Sequence, residues 1–281
     1  MTTHHSPIRL VAIDLDRTLL DDNRRLSDHN RRTLERCIAN DVQIAVCSGR
    51  DLPATRAITN DWKFPCWLVV QNGSLVLDPE GVAIDIRTFT KEQAMRVLDV
   101  LERHELPPVV YDVHPNSHRV WWQRGAQAAP GVLEFRREHG STIDIVDDMR
   151  TVLTQDISHM EVLEDASKIF AAERELASDP DVITLANMSA SMKGRAMLGI
   201  YAAGTSKERA LSRVAERIGV GAPAVLAIGD NLNDIGMVQW AGVGVMVANG
   251  PDAARAVADW IAPSNNDSGV AVAIEKLVFT E

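Results

Sequence analysis

Residues 8–20, IRLVAIDLDRTLL, constrain the fold of this chain more than any other stretch. Residues 8–13 are a short apolar run of the length a buried strand needs. The run ends in two carboxylates, Asp14 and Asp16, with Thr18 following. Side chains two apart in extended backbone point to one side. The spacing therefore sets both acids on one side where an apolar strand runs out. Open α/β sheets bind their ligands outside the carboxyl ends of the strands. Two close carboxylates repel unless a cation lies between them or one takes up a proton. Mg²⁺ prefers oxygen ligands and keeps only one or two carboxylates from a protein. Asp is also common turn chemistry after a strand, so the other strand ends must decide what this one means.

Length and charge narrow the choice. With 281 residues the chain can bury a sizeable core, in two domains. Its formal net charge of -10 argues against nonspecific nucleic-acid binding and against anionic membranes, both of which need basic surface. Cys37, Cys47 and Cys66 form no C-x-x-C, which suits neither a disulfide framework nor a zinc site. They fit a reducing cytosol. Residues 1–6 read as a loose end without an apolar signal segment, and no long apolar run follows. The expected location is cytoplasmic.

Strand and helix patterns alternate at both ends of the chain. Residues 25–40 read as a helix capped by Ser27, 42–47 as a strand, 51–61 as a helix and 67–70 as a strand. Asn72-Gly73 signals a tight turn into 74–77. The middle differs: strand-like 82–87, 109–113, 119–122, 152–155, 159–163 and 182–188 mix with helical 91–104, 130–139 and 166–177. Short strands with irregularly placed helices suggest an α+β insert. Alternation resumes with strand-like 197–202, helical 206–218, strand 224–228, helix 235–240, strand 243–247 and helical 252–258, then a last helix within 265–279. The reading is α/β: a Rossmann-like parallel sheet built from residues 1–82 and 194–281, with an α+β domain inserted over 83–193.

Three further strand ends carry chemistry. Ser48, in C-S-G-R, offers a hydroxyl and free backbone N–H groups beside Gly49, which suit a phosphoryl oxygen. Lys207, in G-T-S-K, falls in the first turn of a helix, where a cation opposes the helix dipole unless an anion is present. Thr205 and Glu208 there have the spacing of a capping box. Gly229-Asp230-Asn231-Leu232-Asn233-Asp234 follows a buried strand. Asp230 and Asp234 share a face if a helix begins between them. With an amide oxygen they form a hard-cation site.

D-L-D-R-T-L, C-S-G-R, Q-N-G, G-T-S-K and G-D-N-L-N-D stand in an order that resembles the haloacid dehalogenase superfamily. The long insert and the ending S-N-N-D-S-G-V-A are similar to its Cof-type sugar-phosphatase branch, whose α+β cap is of the C2 type. The resemblance implies a Rossmann-like core with a cap closing over the site. It implies Asp14 as nucleophile, Asp16 as general acid/base, and Ser48 and Lys207 as phosphate ligands. Thr18, Gly49, Arg50, Asn72, Asn233 and Asn249 are then expected around the phosphate and substrate. Mg²⁺ is the implied cofactor, held by Asp14, the backbone carbonyl of Asp16 and Asp230, with Asp234 supporting it indirectly. Arg17 and Glu208 stand where the family has glycine.

The expected activity is Mg²⁺-dependent hydrolysis of small phosphomonoesters through an aspartyl-phosphate. The expected partner is a small phosphorylated metabolite, with neither nucleic acid nor membrane. Two alternatives stay open. One is a dedicated sugar-phosphate-derivative phosphatase, such as one for mannosyl-phosphoglycerate. The other is a binding or regulatory protein that keeps the fold without turnover. Asp112, His114, His118, Arg119 and Lys193 are candidates for contacting the leaving group, and only one of the adjacent Trp121 and Trp122 can face the insert's core if extended.

Overall fold

The computed structural model describes residues 7–113, 119–126, 143–153, 156–189 and 192–279. His114, His118 and the expected helix over 130–139 lie outside the described residues, as do 154–155 of the expected strand 152–155. The chain divides into two compact units. One joins Met1–Asp85 to Ser206–Glu281; the other is Ile86–Thr205. The sequence reading put the divisions after residues 82 and 193.

In the first unit the early strands are β1 (Leu10–Ile13), β2 (Gln43–Cys47), β3 (Trp67–Val70), β4 (Leu75–Leu77) and β5 (Ala83–Ile86). The late strands are β12 (Val225–Gly229), β13 (Val243–Val247) and β14 (Trp260–Ala262). They form one sheet in the order β14-β13-β12-β1-β2-β3-β4-β5. Pairing is parallel from β14 through β3, and β4 runs antiparallel to β3. β5 closes an edge of this sheet, which is why the first division falls after Asp85. Leu10, Ala12, Val225 and Ala227 face the helices Lys207–Arg217 and Ile235–Trp240 through Leu211, Val214, Met237 and Val238. Val11, Ile13, Leu226 and Ile228, on the alternate face, are also fully buried. Burial on both faces makes each strand apolar throughout.

The chain order reverses between β1 and β12, which are neighbours in register, Ile13 opposite Ile228. The carboxyl ends at such a reversal are where an open α/β sheet leaves a crevice. Asp14 and Asp230 are the next residues there.

The second unit holds β6 (Val109–Asp112), β7 (Val120–Gln123), β8 (Ile143–Val146), β9 (Ile157–Asp165), β10 (Val182–Met188) and β11 (Arg195–Ala202). Their order is β10-β11-β9-β6-β7-β8, antiparallel except for β7 with β8. One face packs on helices Lys91–Arg103 and Ala166–Leu176 through Val97, Leu101, Ile169, Met160 and Leu198. On the other, His159 stacks between Tyr111 and Tyr201, with ring centroids 4.1 and 5.1 Å apart. Trp121 and Trp122 are both buried, on opposite faces. β11 corrects the reading of 197–202 as part of the parallel core. It is the centre of an antiparallel trio with β9 and β10, so the second division falls after Thr205. Residues 149–151 form a 3₁₀ turn rather than leading into a strand at 152. Among the described residues, no helix is long and apolar enough to cross a membrane.

Candidate active site

Asp14 leaves β1 with its N–H still bonded to the carbonyl of Ile228, at 3.0 Å, so the sheet itself fixes its backbone. The chain then makes a single wide turn over Leu15–Leu19 with Arg17 left-handed, at φ 60° and ψ 10°. That turn swings Thr18 back inside, where its hydroxyl donates to an Asp230 carboxylate oxygen at 3.2 Å. Lys207 is the first residue of its helix, whose start is capped by the Ser206 hydroxyl accepting from the Arg209 N–H. The cap is therefore Ser206 and not Thr205, one position from the expected box. Lys207 Nζ donates to Asp14 at 2.6 Å and to Asp234 at 2.7 Å. The other Asp234 oxygen accepts the N–H groups of Asp230 and Asn231, both at 3.0 Å. Gly229 permits this approach: a Cβ there would lie 2.4 Å from that of Asp234.

Asp14, Asp230, Asp234 and Lys207 are all buried. Three carboxylates against one ammonium leave a formal excess of two negative charges out of water, a costly arrangement. Burial, with Asp234 and Asp230 adding to it against the pull of Lys207, raises the Asp14 carboxyl to about 8. Burial and Asp234 raise Asp230 to about 6. Burial works against the Lys207 charge, but Asp14 and Asp234 more than offset it and hold the ammonium well above its usual range. Carboxylate oxygens of Asp14, Asp230 and Asp234 lie within 4.8 Å of one another. An all-oxygen donor set with two surplus negative charges fits a hard divalent cation.

The remaining expected residues divide into four groups. Ser48 is buried, and its hydroxyl accepts the Arg50 N–H at 3.1 Å, with Gly49 between them. Arg50 turns to Asp16: its Nε and Nη2 each donate to one oxygen of that carboxylate, both at 2.6 Å. Asp16 thus stands apart from the buried carboxylates. Asn72, left-handed at φ 53°, accepts from the Asn233 amide at 3.0 Å, tying the end of β3 to the loop after β12. Asn249 was expected around the substrate. Its amide instead donates to the Arg17 carbonyl, and its oxygen accepts the Asn265 N–H.

Sequence reasoning missed the groups that hold the first turn. Asn30 donates to the Leu19 carbonyl and accepts from the Ala271 N–H, while Asn265 donates to the Leu20 carbonyl. The bonds to Ala271 and from Asn265 join segments more than 240 residues apart, so no local pattern announces them. Glu208 lies along Gly236, whose Cβ would come 2.9 Å from its Oε2.

A buried carboxylate–lysine cluster at the switch point of a parallel sheet, interrupted by an α+β unit, defines a recognisable class. The family model of haloacid dehalogenase-like hydrolases matches residues 11–274. The chain belongs to that family, in its Cof-type branch. It is 30% identical to the 5-amino-6-(5-phospho-D-ribitylamino)uracil phosphatase YcsE of Bacillus subtilis, over 97% of this chain and 96% of that protein. It is 24% identical to the pyridoxal phosphate phosphatase YbhA of Escherichia coli, over 94% of this chain and 96% of that one. A haloacid dehalogenase-like hydrolase from Bacteroides thetaiotaomicron superposes with a TM-score of 0.80 at 25% identity, covering 96% of this chain and 99% of that one.

Proposed function

We propose that this hydrolase is a Mg²⁺-dependent phosphatase of small phosphomonoesters that works through an aspartyl-phosphate. The observation that carries the reading is the buried Asp14–Lys207–Asp234 bridge beside Asp230 at the ends of β1 and β12. Named phosphatases among its relatives support the same reaction class.

Asp14 and Asp230, with the Asp16 backbone carbonyl, would hold the cation. Asp234 is engaged on both oxygens, by Lys207 and by two backbone N–H groups, which suits support from behind. Mg²⁺, when bound, offsets charge between the carboxylates and a dianionic phosphate. An oxygen of Asp14 attacks phosphorus in line, and the bond to the alcohol breaks. Asp16 gives the departing oxygen its proton and then takes one from the water that cleaves the aspartyl-phosphate. Lys207 holds Asp14 in place and, with the Ser48 hydroxyl, offers positive charge to the transferring oxygens.

Residues 86–205 would select the substrate. The chain re-enters the first unit at Ser206, one residue before Lys207.

The test is phosphate release from a panel of phosphorylated metabolites with Mg²⁺, and with EDTA as control. The panel includes 5-amino-6-(5-phospho-D-ribitylamino)uracil and pyridoxal phosphate, for which two relatives are named. A binding protein without turnover releases none. Retention of every expected acid argues against that reading.

A further inference from the structure

We propose that Arg50 is a positioning residue for the proton-transfer carboxylate: it sets the orientation of Asp16, and does not grip the transferring phosphoryl group. The inference rests on the phosphatase reading above and assigns Arg50 a role different from the one its motif suggests.

Asp16 needs such a partner. It follows the buried strand end, at φ -73° and ψ 126°, just before the left-handed Arg17. Its side chain is 43% exposed. A half-exposed carboxylate samples several rotamers, whereas proton transfer needs one geometry. Two parallel N–H···O bonds from one planar guanidinium fix both oxygens at once. Lysine could not do this, because its ammonium is a point charge without the fork.

The guanidinium is itself held from a different strand end. The Arg50 N–H is bonded to the Ser48 hydroxyl, and its carbonyl accepts the Gln71 N–H at 2.8 Å. Ser48 is bonded in turn to the Val69 carbonyl and to the Asn72 N–H. The ends of β2 and β3 thus form a rigid mount, and the Arg50 side chain reaches from it to the turn after β1. The guanidinium edge it presents, Nε with Nη2, is occupied by Asp16.

In the first half-reaction an Asp14 oxygen bonds to phosphorus, the bond to the leaving oxygen breaks, and that oxygen takes the Asp16 proton. In the second, a water oxygen bonds to phosphorus, the bond to Asp14 breaks, and the water's proton passes to Asp16. A misplaced Asp16 hinders departure in proportion to how much the leaving oxygen needs a proton. Phenolate needs one and p-nitrophenolate hardly does.

The experiment compares kcat/KM for phenyl phosphate and p-nitrophenyl phosphate in wild type, Arg50→Ala, Arg50→Lys, Asp16→Asn and the double variant Arg50→Ala/Asp16→Asn. kcat/KM reports only the steps up to departure of the alcohol. The loss for phenyl phosphate in both Arg50 variants should exceed that for p-nitrophenyl phosphate by at least about tenfold, inside the range of a general acid. Asp16→Asn should show the same dependence on the leaving group. The double variant should fall within about twofold of Asp16→Asn alone, because the two residues act through one interaction. Inhibition by inorganic phosphate should weaken by less than about threefold, since no phosphate contact is removed. Circular dichroism and Tm establish that each variant is folded, and Arg50→Lys keeps the charge if Arg50→Ala does not fold. Equal losses for both substrates, with weakened phosphate inhibition, overturn the inference and make Arg50 a phosphate ligand. No change in any Arg50 variant also overturns it. Both results leave the phosphatase reading standing. A wild type that releases phosphate neither from these substrates nor from any metabolite of the panel overturns that reading and this inference together.

Discussion

Asp14 and Asp230 make this protein's stability depend on pH in an unusual direction. In the unfolded chain both carboxyls ionise near 3.8, while in the folded protein Asp14 keeps its proton to about 8 and Asp230 to about 6. The folded state binds more protons than the unfolded one across that window, so stability is greatest below 3.8 for these two groups and falls as pH rises. Metal-free protein in EDTA should therefore show a Tm that declines between pH 3.8 and about 8, most steeply below about 6, where both groups contribute. Saturating Mg²⁺ should flatten the decline. Asp14→Asn should remove the part of the decline between about 6 and about 8 and leave the Asp230 part below it, and it should abolish turnover with the fold retained, since the amide keeps the shape and lacks the nucleophilic charge. A flat profile for wild type in EDTA would count against the buried surplus charge. The two outer acids should separate in a different way. Asp230→Ala should raise the Mg²⁺ concentration needed for half activity. Asp234→Ala strands two backbone N–H groups and half of the Lys207 bridge, so it should lose about 2–4 kcal/mol of stability by urea unfolding.

Among the elements, the turn Leu15–Leu19 shows most clearly what sequence can and cannot disclose. D-x-D-x-T after an apolar run announced the turn, and G-D-N-L-N-D after β12 announced its partner, because both rest on local pattern and periodicity. The left-handed Arg17 was not legible: that conformation costs a non-glycine residue about 1–2 kcal/mol, and only the surrounding bonds hold it. Those bonds come from Asn249, 232 residues away, and from Asn265 and Asn30. Asn249, expected around the substrate, fastens backbone on both sides of its amide. Asn249→Ala should lower stability by about 1 kcal/mol and reduce kcat, while leaving the ranking of substrates unchanged. A changed ranking would return Asn249 to the pocket. The strand β11 misled for a related reason. Its nearly continuous apolar run resembles a strand of the parallel core, and its neighbours β9 and β10 were decided by antiparallel pairing that no window of sequence displays.

For the molecule as a whole, division of labour follows from where the chemistry lies. The Asp14–Lys207–Asp234–Asp230 cluster is drawn from residues of the first unit. Among the expected contacts in residues 86–205, Arg119 is ion-paired with Asp144 and lies over Trp121. Substitutions at Arg119, Asp112 or Lys193 should alter kcat/KM for phosphorylated metabolites more than for acetyl phosphate, which has little leaving group to hold. Parallel loss of both activities in folded variants would place catalytic groups in the inserted unit.

The split of the first unit across the chain also dictates an order of events during synthesis. β1 emerges from the ribosome early, yet its neighbour β12 follows about 210 residues later. At ~5–20 residues per second that delay is ~10–40 s. For that time a wholly apolar strand has one edge unpaired, a template for wrong pairing with other nascent chains. The contiguous unit 86–205 can complete its own sheet in the interval. Chains truncated after residue 205 and released from the ribosome should therefore carry a protease-resistant second unit and a protease-sensitive first one. Among the described strands of this sheet β1 waits longest for its second neighbour, so holding chaperones have their longest exposure to β1.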